Sequence, residues 1–179
     1  MYNDLRYNNV GAFENRKGCN MEAVILAGGF GTRLAHVVSD VPKPMAPING
    51  KPFLQILLDD LAKKGVSRVI LAVGYKKECI MHYFENSYNG LDIDYSIEDK
   101  PLFTGGAIKK ALQMCKEDNV VIANGDTFFN VDIVSMLEAH MANAADLTIA
   151  AKRMSKFERY GTLKINSNGV IQGFCEKQY

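Results

Sequence analysis

A glycine-rich turn stands where the first apolar run of the sequence ends. Residues 26–34 read Leu-Ala-Gly-Gly-Phe-Gly-Thr-Arg-Leu. Glycines let backbone N–H groups approach an oxyanion closely, and a turn at the carboxyl end of a strand is where nucleotides bind in α/β folds. A dinucleotide fingerprint would need glycine where Leu34 stands, and a Walker A loop would need Gly-Lys before Ser or Thr. The turn therefore favours phosphate binding of another kind.

Two charged residues further along have types that suit the same chemistry. Lys43 stands between two prolines, which restrict the backbone around it. Asp126 follows Asn-Gly at the end of the apolar run 120–123, so its carboxylate is expected at the same sheet edge as the glycine turn. A hard oxygen ligand beside phosphates suggests Mg²⁺. The alternatives are a solvated loop lysine and a helix N-cap aspartate.

The elements that must position these residues alternate along the chain. Short apolar runs predict strands at residues 23–27, 69–73, 93–97, 120–123 and 147–151. Helical spacing of apolar residues predicts helices carrying Leu54, Leu57, Leu58 and Leu61, then Ile80, Tyr83 and Phe84, then Ile108, Ala111, Leu112 and Cys115, then Ile133, Met136 and Leu137. This alternation is typical of an α/β fold with a mainly parallel sheet.

Both ends of the chain differ from this predicted core. Residues 1–20 are rich in Asn, Gly and charge and lack periodicity, which predicts a flexible N-terminal extension. Segments 161–165 and 170–175 flank Asn-Ser-Asn-Gly, a hairpin turn signal, and predict a small β-rich part. The chain stops at Tyr179 with no helix to cover this last strand. We therefore expect the domain, residues 21–179, to lack its C-terminal part.

Composition and charge restrict the kinds of function and partner that the protein can have. The 179 residues, 19.9 kDa and 47% apolar content suit one domain with a sizeable core. The 21 basic and 20 acidic side chains give a net charge of +1, which favours neither nucleic acid nor a membrane as partner. The four scattered cysteines, with no signal peptide before them, are interpreted as reduced core thiols of a cytoplasmic protein. The three histidines share no metal-ligand spacing.

Taken together, these residues resemble a known family, the sugar-1-phosphate nucleotidylyltransferases. The resemblance runs from residue 21 to 177 and rests on Gly-Gly-Phe-Gly-Thr-Arg-Leu at 28–34, Pro-Lys-Pro at 42–44, Gly-Asp at 125–126 and Glu-Lys at 176–177. Within the family, segments 44–48, 49–53 and 124–128 look most like the heptose- and mannose-1-phosphate guanylyltransferases. The implied fold is a three-layer α/β/α, Rossmann-like nucleotidyltransferase fold with a small β-rich sugar-binding part.

The resemblance implies a role for each matching residue. The reaction would be in-line attack of a sugar 1-phosphate oxygen on the α-phosphorus of a nucleoside triphosphate, by analogy GTP, releasing pyrophosphate and supplying cell-surface glycan synthesis. The implied catalytic residues are Arg33, Lys43 and Asp126, with Asp126 holding Mg²⁺. The implied nucleotide-binding residues are Ala27, Gly28, Gly29, Gly31, Thr32, Arg33, Lys43, Glu98, Pro101, Thr104 and Gly105. The implied sugar-phosphate residues are Gly161, Glu176 and Lys177.

Two departures from the family pattern keep other hypotheses open. Phe103 stands where the family usually has glycine, and its ring would either block the base pocket or stack on the base. Family members continue beyond the length of this sequence and supply a second Mg²⁺-binding aspartate there, which this sequence lacks, so we expect weak or absent turnover. The alternatives are a nucleotide-binding module with little or no activity and, from the strand-glycine-helix pattern alone, a dinucleotide oxidoreductase. A homo-oligomer is a further possibility.

Overall fold

The structure is a computed structural model that describes residues 20–29, 41–154 and 161–175. Its strands are β1 Met21–Leu26, β2 Pro47–Ile48, β3 Lys51–Pro52, β4 Val66–Val73, β5 Ser87–Tyr88, β6 Leu91–Ile97, β7 Val120–Asn124, β8 Thr162–Ile165 and β9 Ile171–Cys175. Its α-helices are α1 Phe53–Lys63, α2 Lys77–Phe84, α3 Phe103–Leu112 and α4 Ile133–Ala142, and a 3-10 helix covers Lys43–Met45. The chain divides into two compact units, residues 1–144 and 145–179.

The first unit is built on a five-stranded sheet in the order β5-β6-β4-β1-β7. Strands β6, β4, β1 and β7 are parallel, and β5 forms an antiparallel hairpin with β6. The chain steps outward from β1 to β4 and β6, then returns to place β7 on the other side of β1. The order of the strands therefore reverses at β1. In open α/β sheets, ligands bind at the carboxyl ends of the strands beside such a reversal.

Helices cover both faces of this sheet, because right-handed crossovers in opposite directions leave their helices on opposite faces. Alternate residues of β1 point to opposite sides: Ala23 and Ile25 join the core under α1 and α2, and Val24 packs with α3. On α1 the four predicted leucines are all buried against the sheet, and on α3 the small residues Ala107 and Ala111 are buried. The expected three-layer arrangement is thus confirmed.

The helix and strand predictions failed at several particular positions. Tyr83 and Leu112, predicted to face the sheet, are exposed, and Cys115 lies beyond the end of α3. The small side chains of Ala107 and Ala111 bring α3 close to the sheet, so its buried stripe is rotated away from Leu112. Cys175 is exposed and is not a core residue. Cys79, Cys115 and Cys175 are free thiols, as expected.

The second unit contains the predicted hairpin. Strands β8 and β9 are antiparallel and are joined by the turn at residues 166–169, where Gly169 has a φ of +81°. The strand predicted at residues 147–151 is not present. None of the described strands pairs with this apolar run, and a strand needs a neighbour to bond its backbone. Residues 1–19 of the predicted N-terminal extension lie outside the described residues.

A buried ionic cluster joins the strands at the edge opposite the glycine turn. Glu22 on β1 is 1% exposed and pairs with the Arg68 guanidinium on β4. Glu22 Oε2 accepts the backbone N–H groups of Lys116 (2.7 Å) and Glu117 (2.9 Å). Burial alone would raise the pKa of Glu22, but these two backbone donors and Arg68 outweigh burial and hold the pKa below its ordinary value. The cluster ties the segment before β7 to the centre of the sheet.

Arg68 has two further partners in the same cluster. Its Nη2 and Nε atoms donate to Asp94 Oδ2 on β6 at 2.6 and 2.8 Å, and Nη2 also donates to the Met114 carbonyl at 3.0 Å. Burial would lower the pKa of Arg68, but the hydrogen bonds to Glu22 and Asp94 outweigh burial and raise it. The guanidinium is therefore a fixed cation that bridges three neighbouring strands.

None of the helices in the described residues has the length and apolar character needed to cross a bilayer. The longest of them, α1, has 11 residues.

Candidate functional site

The predicted site residues of the first unit come together at the carboxyl edge of the sheet. Gly28 and Gly29 follow β1, Glu98 follows β6, and Asp126 follows β7. The three spacings between β6 and β7 span about 14 Å. One edge thus carries a glycine turn, a carboxylate at one end and a second carboxylate at the other.

A pocket of about 180 Å³ lies on the β6 side of this edge. It is lined by Gly28, Gly74, Tyr75, Glu98, Asp99, Lys100 and Pro101. Its walls thus come from the segments that follow three adjacent parallel strands, β1, β4 and β6. Such a pocket has backbone groups, an aromatic ring and a carboxylate in its walls, which is a composition suited to a nucleobase.

Hydrogen bonds fix Glu98 at the wall of this pocket. The Glu98 N–H donates to the Val73 carbonyl at 2.8 Å and extends the β4–β6 pairing by one residue. Its carboxylate Oε2 accepts the Leu102 N–H at 3.0 Å. Because Oε2 is engaged with Leu102, Oε1 is the oxygen left to accept a hydrogen bond from a ligand in the pocket.

The two adjacent glycines of the turn occupy different surroundings. A Cβ at Gly28 would lie 2.9 Å from Glu98 Oε1 and 3.3 Å from the Gly74 nitrogen. A Cβ at Gly29 would meet no atom within 4 Å among the described residues. Gly28 therefore permits the close approach of β1, β4 and Glu98.

We expect Gly28→Ala to destabilise the protein by about 1–2 kcal/mol, because the added methyl must displace the Glu98 carboxylate and also presses on the Gly74 backbone nitrogen. Gly29→Ala is the matched control for stability, since its methyl would lie more than 4 Å from every atom that the described part of the chain places there. Urea denaturation of the two variants gives the comparison directly. Equal free energies of unfolding for the two variants would contradict this packing role of Gly28.

The other end of the edge carries an ion pair between the two charged residues singled out above. Lys43 Nζ donates to Asp126 Oδ2 at 2.5 Å, although the residues are 83 positions apart. The 3-10 helix that carries Lys43 is anchored by buried Pro44 and Met45. About a third of each side chain is exposed, 37% for Lys43 and 31% for Asp126. A cation and a hard anionic ligand thus face solvent together.

The alternative role of Asp126 as a helix cap is excluded. The N-cap of α4 is Asp132, whose carboxylate accepts the Ser135 N–H at 3.0 Å. That hydrogen bond lowers the pKa of Asp132. Gly125 holds Asp126 close to β1, since a Cβ there would lie 3.0 Å from the Leu26 carbonyl oxygen. The Gly125 N–H donates to the same oxygen at 2.8 Å.

The segment after Glu98 leads into α3 through an unusual backbone conformation. Phe103, the first residue of α3, has a φ of +55°, and its side chain is 85% exposed. A left-handed conformation at a non-glycine residue costs about 1–3 kcal/mol. Thr104 and Gly105 follow it in the first turn of α3. A Cβ at Gly106 would lie 2.9 Å from Leu102 Cβ, so this glycine lets the turn pack on the helix.

The remaining predicted site residues are placed as follows. Ala27 bonds to β4 through its N–H and the Ala72 carbonyl at 2.8 Å, and Pro101 lines the pocket. Gly161 lies in the second unit, where a Cβ would lie 2.6 Å from Phe174 Cζ, so its lack of a side chain is needed for local packing. Outside the described residues lie Gly31, Thr32, Arg33, Glu176 and Lys177.

Sequence reasoning missed several pocket residues. Gly74 and Tyr75 directly follow the apolar run of β4, and Asp99 and Lys100 follow Glu98. The signal that placed Asp126 at the sheet edge, a position just past an apolar strand, applies equally to Gly74 and Tyr75. The Lys76 ammonium lies 5.4 Å from the centre of the Tyr75 ring.

A base-sized pocket at the carboxyl ends of β1, β4 and β6, with a glycine turn after β1 and a lysine–aspartate pair after β7, is typical of nucleotide-binding α/β proteins. A family model described as nucleotidyl transferase matches residues 22–177. The chain belongs to this family. The resemblance and the fold expected from the sequence are confirmed, and the dinucleotide oxidoreductase hypothesis is wrong.

Two relatives and one solved structure are similar to this chain over most of its length. The chain is 56% identical over 159 residues to D-glycero-alpha-D-manno-heptose 1-phosphate guanylyltransferase of Aneurinibacillus thermoaerophilus, covering 89% of this chain and 69% of the relative. It is 46% identical to the protein of the same name from Campylobacter jejuni, covering 89% and 70%. The crystal structure of HddC from Yersinia pseudotuberculosis complexed with GMP-PN superposes with a TM-score of 0.77 at 38% identity, covering 89% and 70%.

Proposed function

We propose that this chain transfers the guanylyl group of GTP to a heptose 1-phosphate, forming the GDP-sugar and pyrophosphate for cell-surface glycan synthesis in the cytoplasm. The observation that carries the proposal is the order of features along the sheet edge. A base-sized pocket lies at β6, β4 and β1, and a cation–carboxylate pair lies at β7. An extended nucleotide has its base and its phosphates in the same order. The 56% identity to a heptose 1-phosphate guanylyltransferase supports the choice of substrates.

In this proposal the protein positions and neutralises charge and forms no covalent bond to the substrate. An oxygen of the sugar phosphate attacks the α-phosphorus of GTP, the bond to the β-phosphate oxygen breaks, and pyrophosphate leaves with the electron pair. The Lys43 ammonium would stabilise the negative charge that develops on these oxygens, and the turn at Gly28 and Gly29 would supply backbone N–H donors. Arg33 would add a second cation, and Gly161, Glu176 and Lys177 would bind the sugar phosphate.

The side chains at β7 suit a magnesium ion held jointly with the nucleotide. The described residues contain no group of three or more His, Cys, Asp or Glu side chains that could hold a metal ion, and Asp126 is the carboxylate proposed to hold Mg²⁺ together with the nucleotide. Mg²⁺ is commonly held by one or two carboxylates together with phosphate oxygens and water, so this donor set fits. When bound, the ion would neutralise phosphate charge and orient the triphosphate. Lys43, now paired with Asp126, would then be released toward the phosphates.

Glu98 is the residue proposed to select guanine. Guanine presents two adjacent N–H donors, N1–H and N2–H, and a carboxylate oxygen accepts such donors well. Oε2 of Glu98 is already bonded to Leu102, which fixes the direction of Oε1 at the pocket wall. Uracil has one N–H between two carbonyl oxygens and would gain less from this acceptor.

We expect Glu98→Gln to weaken GTP binding about tenfold or more while UTP binding changes less than twofold, because the two N–H donors of guanine gain more from the carboxylate charge than the single N–H of uracil does. The measurement is isothermal titration of both nucleotides. Asp118→Asn is the control, since Asp118 is exposed on the segment before β7, at the opposite edge of the sheet. Equal weakening of GTP and UTP would show that Glu98 shapes the pocket without reading the base.

Pyrophosphate release tests the proposal as a whole. We expect release to require Mg²⁺, GTP and D-glycero-α-D-manno-heptose 1-phosphate together, with mannose 1-phosphate and the other nucleoside triphosphates as comparisons. GTP binding without release from any sugar phosphate would favour the non-catalytic nucleotide-binding module. Absence of both binding and release would contradict the proposal.

A further inference from the structure

The most exposed large apolar side chain in the described residues stands beside the pocket. Phe103 is 85% exposed. Pro101 lines the pocket, and two peptide units place the Phe103 Cα within about 7.6 Å of the Pro101 Cα. The intervening Leu102 is tied by its N–H to the Glu98 carboxylate. The ring is therefore carried on a segment that is fixed to the pocket wall.

The position of the Phe103 ring distinguishes between the two roles that the sequence left open, blocking the base pocket and stacking on the base. A ring that blocked the pocket would be buried in it and would line it, but Phe103 is absent from the described lining residues and keeps its surface in solvent. The ring therefore leaves the pocket unobstructed and keeps most of its surface accessible to a ligand. Stacking on a base that enters the pocket is compatible with this arrangement, whereas blocking is not.

The positive φ of Phe103 indicates that its side chain has a role other than stabilising the fold. Of the six described non-glycine residues with positive φ, Phe103 is the only aromatic one, and glycine would adopt φ +55° without strain. A strained residue that buries nothing contributes no packing in return. Such outliers cluster at ligand sites, where the strain is retained because of the contact the side chain makes.

We propose that Phe103 is a specificity-determining residue that stacks its ring on the purine of the bound nucleoside triphosphate and covers the open side of the pocket. This rests on the proposed function, since it assumes that the pocket takes the base. Stacking on an aromatic ring is sequence-tolerant but stronger for the larger π-surface of a purine. Phe103 thus favours purines over pyrimidines, and Glu98 selects guanine among them.

The test compares Phe103→Gly, Phe103→Trp and the full wild-type chain for binding of GTP and UTP, and for thermal unfolding. We expect Phe103→Gly to weaken GTP binding about tenfold, to lower the ratio of GTP to UTP affinity, and to keep or raise the Tm. Phe103→Trp should retain the affinity and the selectivity, because indole stacks at least as well. Leu112→Ala is the control, since Leu112 is exposed at the far end of the same helix.

Each of the other outcomes contradicts either the stacking role of Phe103 or the proposed function. Unchanged or tighter GTP binding by Phe103→Gly, with wild-type binding intact, contradicts stacking and leaves the proposed function standing. A lower Tm with unchanged nucleotide selectivity shows a purely structural role. A change in sedimentation from dimer to monomer without an effect on binding assigns the ring to contact between copies of the chain. Failure of wild type to bind GTP contradicts the proposed function itself.

Discussion

Replacement of Lys43 by methionine is expected to lower the rate of pyrophosphate release about 10²- to 10³-fold. The ammonium lies 2.5 Å from Asp126 beside the glycine turn, and loss of one preorganised donor to a developing oxyanion typically has an effect of this size. The variant would also leave Asp126 without its cationic partner in the metal-free protein. Steady-state release with saturating Mg²⁺, and single turnovers where steady-state rates are low, measure the loss.

Protein stability separates this effect from unfolding. A pair with about a third of each side chain exposed contributes about 1 kcal/mol or less, so Lys43→Met should unfold at nearly the wild-type temperature. Lys63→Met is the matched control, because Lys63 is exposed in the last turn of α1. Asp126→Asn should behave differently again: it frees Lys43, so metal-free GTP binding strengthens while the response to Mg²⁺ is lost. Wild-type turnover in Lys43→Met would remove Lys43 from the catalytic set.

Replacement of Arg68 by methionine is expected to destabilise the protein by about 3–5 kcal/mol. Removal of one partner from a buried ion pair leaves the other charge without compensation, and Glu22 is 1% exposed. For a chain of this length, the Tm should fall by roughly 10 °C. Urea and thermal unfolding measure the loss, and Lys109→Met on the exposed face of α3 is the control, expected within about 0.5 kcal/mol of wild type.

A second substitution tests whether the loss of stability in Arg68→Met comes from the unpaired, buried carboxylate of Glu22. Adding Glu22→Gln to Arg68→Met removes the buried anion, so the double variant should recover part of the lost stability. GTP affinity of the folded variants should match wild type, because the cluster lies at the amino edge of the sheet and the pocket at the carboxyl edge. A double variant less stable than Arg68→Met would contradict this explanation.

The same cluster predicts a dependence on pH. The folded pKa of Glu22 lies below its ordinary value of 4.5, so its contribution to stability is present above that value and is lost as the pH falls through the folded pKa. Without Arg68, the hydrogen bond and the positive charge that Arg68 supplies no longer lower the pKa of Glu22, so its folded pKa is higher in the variant than in wild type. The stability deficit of Arg68→Met should therefore shrink on acidification from neutral pH. A loss of stability in Arg68→Met that does not change with pH would show that it does not depend on the protonation of Glu22.

The sequence by itself determined the class of fold and predicted which residues would form the candidate site. Apolar runs predicted β1, β4 and β7, because strands covered on both faces need continuous apolar residues, whereas β6 alternates apolar residues with Asp92, Asp94 and Ser96. The leucine stripe of α1 has a helical period and admits one buried face. The glycine turn, Lys43 and Asp126 could be recognised because their types suit phosphates and Mg²⁺ in any α/β setting.

Only the tertiary structure decided how these residues combine. Strand order places β7 beside β1 and so brings Asp126 to Lys43 across 83 positions, a pairing that no local pattern encodes. Gly28 and Gly29 are equivalent in sequence, yet only Gly28 meets Glu98, because that contact depends on three strands at once. The run at 147–151 is apolar enough for a strand but has no described partner, since sheet hydrogen bonds join residues distant in sequence. In the sequence, Glu22 is an ordinary charged residue of a predicted strand. Only in the folded chain do Arg68 and two backbone N–H groups contact its carboxylate. The compensation of a buried charge depends on such contacts between distant residues.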